Sequence, residues 1–251
     1  MGDAIKPRCR CAVDGPAGPV VVQPSLFGPA RVEGWRRGGM LVAYMDRDTA
    51  NDVIRRNHYS GTVVNKSTHH VGVWAEGLGF VGALQWGNAL NPWSGPSLVP
   101  DLDVSEWLEL NRMWMDDRAP RNTESTAIGL AVRLLQRNVP RLRMLQSFAD
   151  ERCGGLGVVY QACSFGFYGE HEATFYELDG EWYHNIQATS QRHMAAPRGQ
   201  KLAAGMDRAI KHELRQFRYL RFLDKRAEAT CLLKRQPYPK RKVDQGGADL
   251  G

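Results

Sequence analysis

Two side chains suited to acid–base chemistry flank a glycine-rich turn near the middle of the chain, Asp150 and Tyr160. Asp150 follows Arg141–Ser147, which is predicted to be a strand with a polar end, and Tyr160 falls on a short predicted helix. Asp150 could accept a proton, and Tyr160 could donate one to a leaving group. The structural alternatives are a helix cap for Asp150 and a core tyrosine for Tyr160.

A second candidate site lies where the predicted strand Trp107–Trp114 leads into the polar helix start Asn122–Ser125. Unpaired N–H groups and the positive end of a helix dipole suit a pyrophosphate or another anion. Ser125 is either a binding or catalytic hydroxyl or an ordinary helix-start residue, and Arg112 is either a site cation or a flanking residue. GxxxxGK[ST] is absent, and the GxGxxG spacing of Gly77–Gly82 leads into another predicted strand and not into a helix, which argues against nucleotide hydrolysis and dinucleotide binding.

The histidines and cysteines give weaker evidence for a catalytic or metal-binding site. His58 follows a predicted helix in a polar loop, where it could serve as a base or a ligand or simply be exposed. The pair His69 and His70 has no second metal-spaced pair nearby. The cysteines are odd in number and scattered, so neither a disulfide framework nor a four-cysteine zinc site is expected; a metal role for Cys153 or Cys163 is a minor alternative.

Positive charge concentrates near the carboxyl end. Residues 191–242 hold fifteen Lys or Arg against four acids. The spacing predicts a basic helix interleaved with aromatic residues, which could contact the phosphates and bases of a nucleic acid. Solvated charges and aromatics that pack on the domain are the alternatives. The candidate residues for such contacts are Lys211, Arg215, Arg218, Arg221, Lys240, Arg241 and Lys242.

The elements that must position these residues follow a mixed order of strand and helix. Met40–Tyr44 is predicted to be a strand, a helix capped by Asp46 or Asp48 follows, and a hairpin turns at Asp179-Gly180. The helix after Asn122 presents one apolar face, made of Ile128, Ala131, Leu134 and Leu135. This order predicts an α/β fold, a mixed twisted sheet flanked by helices with a basic helical carboxyl-terminal extension.

Composition limits the possible domain organisation and location of the protein. The chain has 251 residues, 43% of them hydrophobic, and a formal net charge of +6. We expect a loose arm rich in Gly, Pro and Arg over residues 1–36, a catalytic domain over 37–190, and a basic extension with a flexible tail over 191–251. No apolar run is long enough to span a membrane and no signal peptide is evident, so an intracellular protein is expected.

Several separated motifs carry a family resemblance. The path from strand Trp107–Trp114 to the helix that carries Tyr160 resembles the GNAT-type N-acetyltransferase superfamily, although Arg121–Gly129 replaces its glycine-rich pyrophosphate motif. The sequence is more closely similar to the Mom family of bacteriophage DNA-modification proteins, a divergent branch of that superfamily. The motifs are Asn57-His-Tyr-Ser-Gly61, Glu109-Leu-Asn-Arg112, Asn122-Thr-Glu-Ser125, Ser147-Phe-Ala-Asp150, Gly157-Val-Val-Tyr160-Gln-Ala162 and Pro237-Tyr-Pro-Lys240.

The resemblance implies a transferase that converts adenine N6 in phage DNA to a carbamoylmethyl derivative and so protects the DNA from host restriction. It implies catalytic roles for His58, Tyr59, Ser125, Asp150 and Tyr160, and substrate or cofactor binding by Arg112, Asn122 and Ser147.

The resemblance further implies acetyl-CoA or a related donor, an iron requirement whose ligands the sequence does not identify, double-stranded DNA as partner, no membrane, and a location in the cytoplasm of the bacterial host. The oligomeric state stays open, with a homodimer as one alternative. An acyl-CoA-dependent N-acetyltransferase and a non-catalytic DNA-binding protein are the alternative functions.

Overall fold

The structure is a computed structural model that describes residues 13–22, 31–153 and 155–240. Strands and helices follow one another along the described chain in a mixed order, which confirms the predicted α/β class. The strands are β1 (Gly18–Val22), β2 (Arg31–Arg37), β3 (Met40–Tyr44), β4 (Ser67–Ala75), β5 (Gly79–Gly87), β6 (Trp107–Met115), β7 (Met144–Asp150), β8 (Gly166–Leu178), β9 (Glu181–His184) and β10 (Ile210–Phe222). The helices are α1 (Arg47–Asn57), α2 (Thr123–Asn138), α3 (Val158–Ala162), α4 (Ile186–Thr189), α5 (Gln191–Met194), α6 (Pro197–Ala204) and α7 (Lys225–Ala229).

The described residues divide into two compact units. The first unit holds the residues up to 147 together with 162–165 and 220–234. The second unit holds residues 148–161, 166–219 and 235–240. The predicted site residues are therefore distributed over two units.

The sheet of the first unit runs in chain order from β1 to β7. Neighbouring strands from β1 to β6 are antiparallel, while β6 and β7 are parallel, with Trp107 opposite Met144 and Glu109 opposite Gln146. A parallel pair needs a long crossover connection, and α2 supplies it.

Two helices pack on this sheet because each has one apolar face. Helix α1 begins at its N-cap residue Asp46, whose side chain accepts a hydrogen bond from the N–H of Thr49 over 2.8 Å, as predicted. The predicted apolar face of α2 is confirmed, since Ile128, Ala131 and its other predicted members are completely buried. Burial of each of its isoleucine and leucine side chains contributes roughly 1.5–3 kcal/mol.

In the second unit, β10, β8 and β9 are neighbours in that order. Strands β8 and β9 form the predicted hairpin, and its turn residues Asp179 and Gly180 both have positive φ, at 52° and 76°. Two residues with positive φ give the turn whose twist matches that of the strands. Leu178, Tyr183 and Leu202 form a buried cluster beside this hairpin.

Two expectations about secondary structure are wrong. Strand β1 and all but the last residue of β2 lie within residues 1–36, where we expected no regular structure. The basic segment Ile210–Phe222 is strand β10 and not a helix, although its arginines have near-helical spacing. The buried residues Phe217 and Tyr219 alternate with partly exposed neighbours, and pairing in a sheet outweighs the spacing of charges. No helix among the described residues is long and apolar enough to cross a membrane.

Candidate functional site

The loop after α1 holds His58 in a defined orientation. Its backbone N–H caps the helix by donating to the carbonyl of Ile54, and its carbonyl accepts from the N–H of Gly61. Gly61 has φ of +57°, the left-handed conformation that glycine adopts without strain. The loop therefore turns tightly around His58.

The imidazole of His58 makes two hydrogen bonds at the same nitrogen. Its Nδ1 lies 3.1 Å from the backbone nitrogen of Ser60 and 2.8 Å from the Ser60 hydroxyl oxygen. A backbone N–H can only donate, so Nδ1 must accept, and the neutral ring carries its proton on Nε2.

Arg112 on β6 holds the same loop from the other end. Its Nε donates to the carbonyl of Thr62 over 2.9 Å, its Nη2 donates to the Thr62 hydroxyl over 3.3 Å, and its Nη1 donates to the Asn111 carbonyl. The Thr62 hydroxyl in turn donates to the Ser60 hydroxyl over 3.3 Å. A chain of side-chain hydrogen bonds thus connects Arg112 to His58, two predicted site residues.

Tyr59 presents its ring beside His58. The two ring centroids are 4.1 Å apart, and Tyr59 is 63% exposed. An exposed aromatic ring next to a hydrogen-bonding imidazole offers a stacking surface for a flat ligand. The structure therefore brings together His58, Tyr59 and Arg112.

The start of α2 contains Asn122 and Ser125. Asn122 occupies the N-cap position with a φ of 67°, but its side chain makes no capping hydrogen bond. The Ser125 hydroxyl donates to the Asn122 carbonyl over 3.1 Å, and the thiol of Cys163 donates to the Ser125 carbonyl. Burial raises the pKa of the Cys163 thiol to about 12, so this cysteine is an inert core residue.

The carboxylate of Asp150 lies in the second unit and is held by Arg152. Its two oxygens accept from the backbone N–H of Arg152 over 3.0 Å and from the guanidinium over 3.1 Å. The guanidinium also lies 5.1 Å and 5.2 Å from the ring centroids of Phe175 and Trp182. Asp150 is therefore a fixed, partly buried carboxylate that retains lone pairs for a further donor.

Tyr160 also lies in the second unit, on α3. Its hydroxyl is 3.5 Å from the carbonyl oxygen of Phe148, and its ring centroid is 5.5 Å from that of Tyr219. Tyr219 donates to the carbonyl of Leu156 and accepts from the amide of Gln161, so it holds both ends of the turn and helix that carry Tyr160.

Ser147, the last residue of the first unit before the chain enters the second, is completely buried. Its hydroxyl oxygen has no hydrogen-bond partner among the residues that the structure describes. A buried hydroxyl without a partner is costly unless a water or a ligand group satisfies it.

The predicted DNA-binding cations of β10 have diverse surroundings. Lys211 pairs with Glu213, Arg215 pairs with Glu151 and Glu170, and Arg221 donates to the carbonyl of Cys163. These three cations therefore make polar contacts with carboxylates or a carbonyl of their own unit. Lys240 is exposed, while Arg241 and Lys242 lie outside the described residues.

Arg218 differs because it belongs to a mixed aromatic and basic cluster. Its guanidinium lies 5.3 Å from the ring centroid of Phe148, and the ring of His171 meets Phe148 edge-on at 5.5 Å. Burial and the Arg218 charge lower the pKa of His171. Sequence reasoning missed Phe148 and His171, because their place beside Arg218 depends on strand pairing.

Metal ligands are not brought together among the described residues. No group of three or more His, Cys, Asp or Glu side chains there could hold an ion. Burial is the main cause of the lowered pKa values of both His69 and His70, which are adjacent on β4.

Comparison with known proteins gives one family. The sequence model of the Mom protein family matches residues 39–240. The chain is 50% identical over 194 residues to the protein named methylcarbamoylase mom of Escherichia phage Mu, across 76% of this chain and 80% of that protein.

Solved structures are more distant. The chain is similar to a ribosomal-protein-S5-alanine acetyltransferase from Vibrio fischeri, with 8% identity, a TM-score of 0.45, and coverage of 76% of this chain and 97% of that one. It is also similar to a GNAT-family acetyltransferase from Streptococcus pneumoniae, with 10% identity, a TM-score of 0.43, and coverage of 74% and 99%.

Proposed function

The chain belongs to the Mom protein family, and from that premise we propose that it transfers a carbamoylmethyl group to N6 of adenine in DNA. The observation that carries this proposal is the 50% identity to the methylcarbamoylase of phage Mu, within a family match that includes every motif around the candidate site. The modified adenine would protect phage DNA from restriction in the cytoplasm of the bacterial host.

His58 acts in this scheme as a hydrogen-bond donor. Because Nδ1 accepts from Ser60, the neutral ring has a proton to donate at Nε2 and no lone pair there to accept one. It would stabilise negative charge that develops on the substrate. Arg112 is a positioning residue, since its bonds to Thr62 fix the loop that orients the imidazole.

Asp150 would then take the proton that leaves N6 as the nitrogen bonds to the transferred carbon. Its contacts with Arg152 fix the carboxylate in place. Tyr160 would give a proton to the leaving group on the donor. These two roles complete the proton balance of the transfer.

The donor is proposed to be acetyl-CoA or a related acyl-CoA-type molecule. Its anionic part would suit the start of α2, where Asn122 makes no capping hydrogen bond and the helix dipole is positive. Acetyl-CoA itself would deliver only an acetyl group, so the transfer balances with a related donor that carries the carbamoylmethyl unit on its leaving group. The bond between N6 and the CH2 carbon would form as the bond from that carbon to the leaving group breaks. We assign no ligand to iron, because the described residues offer no cluster of suitable side chains.

Double-stranded DNA is the proposed substrate, and the target adenine would leave the base stack to be reached. Tyr59 offers an exposed ring for the extruded base. The cluster of Phe148, His171 and Arg218 offers an aromatic and basic contact for the strand.

The test is mass spectrometry of nucleosides from plasmid DNA of cells that express the chain, the Asp150→Asn variant or the Tyr160→Phe variant. We expect a heavier deoxyadenosine with the wild type and little or none with either variant. Unmodified adenine with well-expressed, folded wild-type protein would overturn the proposal. Thiol release from acetyl-CoA with a non-DNA amine would then favour an N-acetyltransferase.

A further inference from the structure

A polar network that the proposed mechanism does not use lies on the first unit, on β4, β6 and β7. The carboxylate of Glu109 accepts from the amide of Gln146 over 2.8 Å and from the amide of Asn111 over 3.4 Å. The carbonyl oxygen of Asn111 accepts from the Ser67 hydroxyl over 2.8 Å. Gln146, Asn111 and Ser67 are 4%, 8% and 3% exposed, whereas Glu109 is only partly buried and can be reached from outside.

The orientation of the Gln146 amide follows from its neighbour. An ionised carboxylate can only accept, so the amide nitrogen of Gln146 must face Glu109 and the amide oxygen must point elsewhere. That oxygen, Oε1, is buried and has no hydrogen-bond partner among the described residues. A buried acceptor without a donor is unfavourable, and a donor group of a ligand would remove that cost.

The two acceptors belong to one small site. Glu109 and Gln146 are directly opposite each other in the parallel pairing of β6 with β7, and their side chains are hydrogen-bonded. The carboxylate and the amide are neighbouring groups, and the oxygens of both repel anions and accept from hydrogen-bond donors. A group with two hydrogens on one nitrogen can satisfy both acceptors at once.

We propose that Glu109 and Gln146 form a binding site for a primary N–H₂ group of the substrates. This inference rests on the proposed function and names the groups that recognise its substrates. Two sources carry such a group, the exocyclic amine of adenine and the carboxamide of the carbamoylmethyl unit. Asn111 and Ser67 are positioning residues, because they hold the Glu109 carboxylate.

The experiment measures binding of fluorescein-labelled single-stranded oligonucleotides by fluorescence anisotropy. One pair of probes carries adenine or purine, which lacks the exocyclic amine. The other pair carries N6-carbamoylmethyladenine or N6-carboxymethyladenine, which has a carboxylate in place of the carboxamide. In one of these pairs, wild-type protein should bind the probe that carries the N–H₂ group, adenine or N6-carbamoylmethyladenine, about tenfold more tightly than the probe that lacks it.

Two variants remove the acceptors with little change in volume, Glu109→Met and Gln146→Met. Gln85→Met is the matched control, since Gln85 is a completely buried glutamine on β5 that also has an unpaired Oε1 but bonds to Asn51 and not to a carboxylate. Both site variants should lose the tenfold preference, while the control keeps it. Thermal unfolding of all three shows whether they are folded.

The two probe pairs distinguish the two sources of the N–H₂ group. A preference within the first probe pair assigns the site to adenine, and one within the second pair assigns it to the carboxamide. Absence of any preference in the wild type, or its persistence in both site variants, overturns the inference. Nucleoside mass spectrometry on the wild type, run alongside, shows whether the proposed function itself has failed.

Discussion

The backbone N–H of Ser60 donates to Nδ1 of His58, and this one bond determines which tautomer the imidazole adopts. A proton on Nε2 makes the outer nitrogen a donor, so the ring cannot act as a base there while it is neutral. The same loop is held by Arg112 through Thr62. The first two predictions follow from this arrangement.

Replacement of His58 by Gln should preserve part of the activity, whereas replacement by Asn should abolish it. A glutamine amide nitrogen reaches the position of Nε2 and can donate, while the shorter asparagine reaches only the position of Nδ1. We expect His58→Asn to reduce adenine modification at least about tenfold relative to His58→Gln, the size of one lost hydrogen bond to a charged group. Nucleoside mass spectrometry measures both, and equal activity of the two variants would refute the donor role.

Arg112 and Thr62 should behave as a coupled pair. Arg112→Lys removes the bonds to both the carbonyl and the hydroxyl of Thr62, whereas Thr62→Val removes only the hydroxyl that connects Arg112 to Ser60. Because the two changes share one of these bonds, the double variant should lose less activity than the sum of the two single losses. The double-mutant cycle on initial modification rates measures this coupling, with the denaturation midpoint recorded for each protein. Fully additive losses would mean that Arg112 acts independently of the loop.

Gly157→Ala should destabilise the turn before Tyr160. Gly157 has φ of +71°, and an added Cβ would collide with the ring of Tyr219. Strain alone costs about 1–3 kcal/mol. Gly155→Ala is the matched control, because a Cβ there meets no neighbour and its φ is not positive. Urea denaturation should show a loss for Gly157→Ala alone, and equal stability of the two variants would contradict the placement of this turn.

The buried thiol of Cys163 should make stability fall at alkaline pH. Burial raises its pKa from the ordinary 9.0 to about 12, so the stabilisation is complete below pH 9. Between pH 9 and 12 the unfolded chain releases this proton while the folded chain keeps it, which lowers the free energy of unfolding by up to about 1.4 kcal/mol per pH unit. Between pH 9 and 12 the free energy of unfolding should therefore fall less steeply with pH for Cys163→Ala than for the wild type. Equal slopes for the two proteins would show that Cys163 does not cause the loss of stability.

Arg218 and Arg221 should differ in their effect on DNA binding although both lie on β10. Arg218 belongs to the cluster with Phe148, so Arg218→Ala should weaken DNA binding. It should also reduce the slope of the logarithm of the binding constant against the logarithm of the salt concentration by about one. Arg221 donates to the carbonyl of Cys163 and burial lowers its pKa, so Arg221→Ala should lower thermal stability and leave the salt dependence unchanged. Anisotropy titrations over a salt series test both, and identical salt slopes for the two variants would argue against the cluster as a DNA contact.

The sequence by itself predicted the α/β class, a cap for α1 at Asp46 or Asp48, the apolar face of α2 and the Asp179-Gly180 hairpin, and the structure selects Asp46 as the cap. Each of these is set by a local rule, namely a capping side chain, a helical period or a turn that needs positive φ. Motifs in order along the chain also indicated the family that the comparison found. The spacing of arginines led to the wrong prediction of a helix at β10, because arginines three or four residues apart occur in strands as well as in helices.

Only the tertiary structure decided which groups meet. His58 and Arg112 are far apart in sequence, and their link through Ser60 and Thr62 exists because α1 ends near β6 in the folded first unit. The pairing of Glu109 with Gln146 depends in the same way on the register of a parallel pair of strands. Register and packing are set by the burial of whole sheet faces, a long-range property that no local pattern encodes.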